Sequence, residues 1–137
     1  MTLDDAMKSA KEMNELVTIE GHGIEIIGLF GVDFVFIKAT EGDTYKDPTY
    51  KDRLAQINAV DISNGAYHFF RANSDPIAQA EYYLSVVNSS NADLPPVLDI
   101  ESNDGKSKEE IMAFAKIWLD IVEQELGKKP IIYSGYY

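Results

Sequence analysis

The fold of this chain is decided by residues 94–101, which read Leu-Pro-Pro-Val-Leu-Asp-Ile-Glu. This stretch joins a short apolar run to two carboxylates, Asp99 and Glu101, at its C-terminal end. Because alternate residues of a strand share a face, the two carboxylates point the same way, about 6.6–6.8 Å apart along the backbone. Two acids on an apolar strand are costly to bury unless they are paired or hydrogen-bonded. The stretch therefore predicts a buried strand that carries a polar site at its end.

Strand patterns alternate with helix patterns on both sides of this stretch. Strands are predicted at residues 24–29, 34–38, 65–70, 94–101 and 131–133, and helices at 2–17, 50–60, 76–87 and 107–126. Residues 40–48 are polar, contain glycine and proline, and predict a loop. Strands that alternate with helices are typical of parallel sheets, so the pattern predicts an α/β fold.

Charged and aromatic side chains cluster where the predicted strands end. They are Lys38, Glu41, Tyr67, His68, Asp99, Glu101 and Tyr133. In β/α barrels the C-terminal ends of the strands carry the active site, so we expect these residues to lie together. His68 is the exception, because a lone histidine on a strand is more often a hydrogen-bonded core residue. Trp118 lies on the apolar stripe of a helix and is expected in the core.

Composition excludes several functional classes. The 137 residues are 45% hydrophobic, which predicts one globular domain over residues 1–137. The net charge of -11 argues against a nucleic-acid partner, which would need a basic face. With no cysteine and two histidines, a zinc site is not predicted. No apolar run reaches the roughly 20 residues that span a membrane, and no signal peptide is visible at the N-terminus.

The two carboxylates leave two interpretations open on the residues alone. Pairs of acids cleave glycosidic bonds, one as proton donor and the other as nucleophile or electrostatic partner. The same acids could instead have a structural role, either in an ion pair with a basic side chain or as a helix cap in the following loop.

Four segments of the chain resemble a known family, in the right order. They are residues 34–42 (Phe-Val-Phe-Ile-Lys-Ala-Thr-Glu-Gly), 65–70 (Gly-Ala-Tyr-His-Phe-Phe), 96–101 (Pro-Val-Leu-Asp-Ile-Glu) and 130–134 (Pro-Ile-Ile-Tyr-Ser). Together they closely resemble glycoside hydrolase family 25, the Chalaropsis-type lysozymes found in bacteria and in phage endolysins. The resemblance covers roughly residues 32–137.

This resemblance implies a TIM-like irregular β/α barrel with a groove across its C-terminal face. It implies hydrolysis of the β-1,4 bond between N-acetylmuramic acid and N-acetylglucosamine in peptidoglycan, without a cofactor or a metal. The family's Asp-x-Glu motif corresponds to Asp99 and Glu101. It implies that Glu101 is the general acid and that Asp99 assists the N-acetyl group of the substrate. The expected partner is the glycan strands of the bacterial wall. The protein would act outside the cell or on the cell wall, and release as in phage endolysins is one way it could get there.

Other residues are expected to bind substrate around this pair. Glu41, Tyr67 and Tyr133 are predicted to line the groove, and Lys38 either contacts the ligand or pairs with an acid. Glu25, in Gly-Ile-Glu at 23–25, is expected where the family has a first-strand aspartate.

The chain also departs from the family pattern. Residues 1–31 are atypical, and about five of the eight barrel strands can be counted, with the C-terminal strands missing. We therefore expect an incomplete barrel from a truncated or rearranged member. The alternative function is a catalytically inactive peptidoglycan-binding descendant or a non-functional fragment.

Overall fold

The strands of the protein form one mixed sheet, seen in a computed structural model that describes residues 17–18, 33–87 and 92–135. The six strands are β1 (Val17–Thr18), β2 (Phe34–Glu41), β3 (Tyr45–Lys46), β4 (Ser63–Phe69), β5 (Val97–Ile100) and β6 (Ile131–Ser134). The spatial order is β1-β2-β4-β5-β6, with every neighbouring pair parallel, and β3 adds to β2 antiparallel. The predicted α/β fold is confirmed.

Among the described residues, three helices connect the parallel strands from β2 to β6. They are α1 (Tyr50–Ala59), α2 (Pro76–Val87) and α3 (Lys108–Leu126). The start of α3 has a capping box, in which Ser107 and Glu110 each accept a hydrogen bond from the other's backbone N–H. The same helix ends at Gly127, which adopts the left-handed conformation at φ 68°. None of the helices in the described part of the chain has the length and apolar character needed to cross a membrane.

Several predicted boundaries are wrong. The loop predicted at 40–48 contains the end of β2 and all of β3, because a bulge after Lys38 lets the strand continue through a polar segment. The strand predicted at 94–101 is shorter, since Pro95 and Pro96 cannot donate to the sheet. Val17, predicted to end a helix, lies in β1. The rest of that helix and the strand predicted at 24–29 lie outside the described residues.

The core lies between one face of the sheet and the helices. Its large side chains are Val35, Ile37, Ile57, Phe70, Tyr83, Leu98, Trp118 and Val122, all fully or almost fully buried. Trp118 is 0% exposed, as predicted from its place on the apolar stripe of α3. The residues that alternate with the core side chains along β2, β4 and β5 point to the opposite face, where the site lies.

Gly65 lies on that opposite face, directly beside Phe36 of β2. A Cβ at this position would stand 2.7 Å from Cε1 of Phe36 and 3.0 Å from Cβ of Leu94. Both distances are shorter than a normal van der Waals contact, so the strand needs a glycine here to pack against the ring.

We expect Gly65→Ala to lower the free energy of unfolding by about 1–2 kcal/mol. Alanine loses less backbone entropy than glycine when the chain folds, which favours the variant slightly. The steric overlap with Phe36 and Leu94 costs more than this gain. Urea denaturation measures the change, and Gly65→Ala combined with Phe36→Leu should recover part of the loss. A Gly65→Ala variant as stable as the wild type would show that the ring moves away without cost.

Candidate active site

Three of the predicted site residues, Glu41, Asp99 and Tyr133, lie in one row across the C-terminal ends of the strands. The register aligns Glu41 with Phe69, Phe69 with Asp99, and Asp99 with Tyr133. Neighbouring strands are about 4.8 Å apart, so the row from Glu41 to Tyr133 spans about 14 Å. The structure thus brings together three of the predicted site residues and adds Phe69, which the sequence analysis did not select.

The two carboxylates of the motif differ sharply in their surroundings. Asp99 is 6% exposed and lies in β5, where its backbone C=O accepts a 2.8 Å hydrogen bond from the N–H of Phe70. Glu101 directly follows the strand, is exposed, and borders a cleft of about 1090 Å³ that lies on the α3 side of the sheet, the face opposite to Asp99. One carboxylate is therefore set into the sheet, and the other reaches solvent above it.

The bulge in β2 decides where Glu41 points. Side chains three apart in a regular strand face opposite ways, but the extra residue between Lys38 and Thr40 returns Glu41 to the face of Lys38. The ammonium Nζ of Lys38 lies 2.8 Å from Oε1 of Glu41 and 5.2 Å from the ring centre of Phe69. Lys38 thus forms the predicted salt bridge to an acid, and its contact with a ligand stays a prediction.

Two charged residues that sequence reasoning missed extend this pair. Arg71 places Nη1 4.0 Å from Oε2 of Glu41 and Nη2 2.7 Å from Oδ1 of Asp104. Arg71 directly follows the predicted strand 65–70, so the rule that selected the other strand-end residues also applies to it. Asp104 carries a weaker signal, as the aspartate before Gly105 in a turn.

The tyrosines and Glu25 among the predicted site residues differ in their placement. Tyr67 lies two residues before the row member Phe69 on β4, aligned with Lys38 and Val97, and is 6% exposed. Tyr133 is 57% exposed at the outer end of the row. Glu25 lies outside the described residues, so its predicted role stays a prediction.

His68 occupies the helix side of the sheet, as expected for a core histidine. Its Nε2 lies 2.9 Å from Oε1 of Gln79 and its Nδ1 lies 2.7 Å from Oγ1 of Thr40. The Gln79 oxygen can only accept, so Nε2 carries the proton and Nδ1 accepts from Thr40. The ring also stacks on Trp118 at 5.5 Å between centres. Burial lowers the pKa of His68 to about 4 against its ordinary 6.5.

This lowered pKa predicts a loss of stability in mild acid. Between pH 6.5 and 4 the unfolded chain binds a proton at His68 that the folded chain does not, so the free energy of unfolding falls as pH falls. Across that window the residue accounts for about 3 kcal/mol. Urea denaturation at pH 7 and pH 5 should show a loss in the wild type about 2 kcal/mol larger than in His68→Gln. Equal losses in the two proteins would contradict the assignment.

Metal ligands do not converge at this site. Within residues 33–87 and 92–135, no group of three histidine, aspartate or glutamate side chains is arranged to hold a metal ion. The chemistry available from the described residues is that of two carboxylates with different exposure, beside a Lys–Glu–Arg–Asp chain of ion pairs.

Comparison with known protein families gives one match over most of the chain. Residues 25–137 match the sequence profile of glycosyl hydrolases family 25. The match includes Glu41, Asp99, Glu101 and Tyr133, the members of the site described above.

Individual relatives agree with this profile. YegX of Escherichia coli (strain K12) is 39% identical over 104 residues, which cover 76% of this chain and 38% of YegX. The autolytic lysozyme of Clostridium acetobutylicum is 33% identical over 108 residues, which cover 78% of this chain and 33% of that enzyme. A solved family 25 glycosyl hydrolase from Bacillus anthracis superposes with a TM-score of 0.70 at 34% identity, over 76% of this chain and 50% of that one. The chain therefore spans between a third and a half of each relative.

Proposed function

The chain belongs to glycosyl hydrolase family 25, and from this premise we propose that it is a lysozyme-like muramidase. It hydrolyses the β-1,4 bond between N-acetylmuramic acid and N-acetylglucosamine in peptidoglycan. The observation that carries the proposal is the Asp99–Glu101 pair at the end of β5, inside the region that matches the family. The lysozyme and muramidase names of relatives at 30–33% identity support it.

Glu101 acts as the general acid in this mechanism. It donates its proton to the glycosidic oxygen as the C–O bond to the muramic acid residue breaks, so the leaving sugar departs as a neutral alcohol. Its exposed position beyond β5 suits this role, because the side chain must reach a bond in a polymer that lies across the strand ends.

Asp99 acts in the same step, on the substrate group that attacks the anomeric carbon. It orients the N-acetyl group of the muramic acid residue, whose carbonyl oxygen attacks the anomeric carbon and forms a cyclic oxazolinium ion. Water then adds to that carbon while Glu101 takes a proton back, which restores both carboxyl groups. A 6% exposed carboxylate fits this task, since electrostatic stabilisation is stronger where water is excluded.

Four further residues are assigned to substrate binding. Glu41 and Tyr133 lie in the same register row as Asp99, and Lys38 and Tyr67 are aligned with each other earlier on the neighbouring strands β2 and β4. From the sequence alone, we predict that Glu25 takes the place of the aspartate that the family carries on its first strand.

We also propose that residues 1–137 form one domain in which the sheet is an arc of a TIM-like irregular β/α barrel. Four neighbouring parallel strands joined by helices support this assignment, and so does the placement of the polar row at their C-terminal ends. The substrate would then lie in a groove across those ends.

The partner of the protein is the glycan strand of the bacterial wall, and its action takes place outside the cytoplasmic membrane. A net charge of -11 is consistent with a neutral or peptide-bearing polysaccharide and not with a nucleic acid. The Clostridium relative is itself described as an autolytic lysozyme, which supports a wall substrate.

The test is the identity of the new reducing end. Purified peptidoglycan is incubated with the protein, reduced with borohydride and hydrolysed, and the sugar alcohols are quantified. A muramidase produces muramicitol, whereas a glucosaminidase produces glucosaminitol. Chitin oligosaccharides, which lack muramic acid, serve as the control substrate. Folded protein that binds walls but forms neither alcohol between about pH 4 and 8 would favour the inactive peptidoglycan-binding alternative.

A further inference from the structure

The position of Glu101 depends on a loop as well as on the sheet. Strand β5 ends at Ile100, and Glu101 opens the connection to α3, which begins at Lys108. Within that connection the N–H of Gly105 donates to Oδ1 of Asn103 at 3.0 Å, and the N–H of Lys106 donates to the C=O of Asn103 at 2.9 Å. These bonds make residues 103–106 a compact turn that begins two positions after Glu101.

Asp104 attaches this turn to the neighbouring strand end. Its Oδ1 accepts from Nη2 of Arg71 at 2.7 Å and from Oγ of Ser102 at 2.9 Å, and its Oδ2 accepts from the N–H of Ala72 at 2.8 Å. The side chain is only 4% exposed and the residue has φ 50°, in the left-handed region. A non-glycine residue keeps such a conformation where its surroundings stabilise it. We call these contacts the Asp104 anchor.

The far side of the anchor is itself fixed to the core. Gln79 of α2 binds both backbone groups of Arg71, accepting from its N–H at 3.0 Å and donating to its C=O at 2.7 Å. The same Gln79 oxygen accepts from the buried His68 ring. The segment that Asp104 contacts is therefore held by a hydrogen-bond network built on two buried side chains, Gln79 and His68.

We propose that Asp104 is a positioning residue for Glu101. By tying the turn at 103–106 to the end of β4, it sets the height and direction of the Glu101 carboxyl above Asp99. It touches no reacting atom in this role. The inference rests on the proposed muramidase function, because the effect on rate has meaning only if Glu101 is the acid. Misplacement by about 1 Å can cost a factor of about 100 in rate.

The variant that tests the anchor is Asp104→Asn, which keeps the size of the side chain. Its amide nitrogen must replace an oxygen that faces N–H or O–H donors, so at least one hydrogen bond is lost. We expect kcat on soluble peptidoglycan fragments to fall by about 10- to 100-fold, with KM changed less than about 2-fold. Ser102→Ala, which removes one donor of the three, should show a smaller loss in the same direction.

Asp120→Asn is the matched control. It removes the carboxylate of another close ion pair, with Lys116 at 2.6 Å, on the exposed surface of α3. The control should leave kcat and KM unchanged. Rates are compared well below each unfolding midpoint, so that a loss of folded protein does not enter the result. An unchanged kcat in Asp104→Asn, or an equal loss in Asp120→Asn, would overturn the proposal.

A second measurement separates this inference from the proposed function. Amide hydrogen exchange of residues 101–106 should accelerate by about 10-fold or more in Asp104→Asn, while exchange in β4 and α3 stays near the wild-type rate. If the wild-type protein forms no muramicitol, the proposed function fails, and the exchange data still decide whether Asp104 holds the segment of Glu101. Unchanged exchange at residues 101–106 overturns the anchor whatever the activity.

Discussion

Replacing Glu101 by glutamine is expected to reduce the rate of peptidoglycan hydrolysis by about 10²- to 10⁴-fold, the usual contribution of a general acid. The amide has no proton to give to the leaving oxygen, while its size and polarity are nearly those of the acid. Glu101 is exposed, so the change in unfolding free energy should stay within about 0.5 kcal/mol. The measurement is the initial rate of muramicitol formation at equal concentrations of folded protein.

A matched substitution on the surface checks this result. Glu109 is an exposed acid in the first turn of α3, and Glu109→Gln removes the same charge. It should retain the wild-type rate. If Glu101→Gln keeps more than about a tenth of the activity, another group supplies the proton and the assignment of Glu101 is wrong.

Asp99→Asn is expected to cost about 10²- to 10³-fold in rate, the range seen when one electrostatic contact to a transition state is removed. The amide cannot stabilise the positive charge that develops on the N-acetyl group as its oxygen attacks. Because Asp99 is buried, we also expect a loss of about 1–3 kcal/mol in stability. Asp93→Asn, at an exposed position before β5, is the control for the loss of one negative charge.

A substrate with a phenolate leaving group distinguishes the roles of the two carboxylates. A phenolate departs without a proton, so Glu101→Gln should recover much of its rate on an aryl glycoside of N-acetylmuramic acid. The Asp99→Asn defect should persist on that substrate, because the N-acetyl attack is still required. Equal recovery in both variants would contradict the separate roles.

Much of this structure was predictable from local patterns. The capping box at Ser107 follows from side chains that bind the nearest backbone, and the helix end at Gly127 follows from the left-handed conformation that glycine adopts easily, so neither needs a distant partner. The core position of Trp118 follows from helical periodicity in the same way. Asp99 and Glu101 indicate a functional site because burying two acids on an apolar strand is costly unless they are paired or hydrogen-bonded.

The errors occurred where contacts between strands override local preference. The polar residues after Lys38 indicate a loop, but pairing with β3 and β4 extends β2 to Glu41. A bulge is not visible in one sequence, because it depends on the partner strand. It is also what turns Glu41 toward Lys38.

By itself, therefore, the sequence determined the order of strands and helices, the acid pair and the family resemblance, because these depend on residue type and spacing along one segment. The tertiary structure alone decided that Glu41, Phe69, Asp99 and Tyr133 share a row. It also decided that Asp104 holds the segment of Glu101 through Arg71, a contact across 33 positions in the chain (104 minus 71). Such contacts depend on register and on loop paths, which form only when separate strands pack into one sheet.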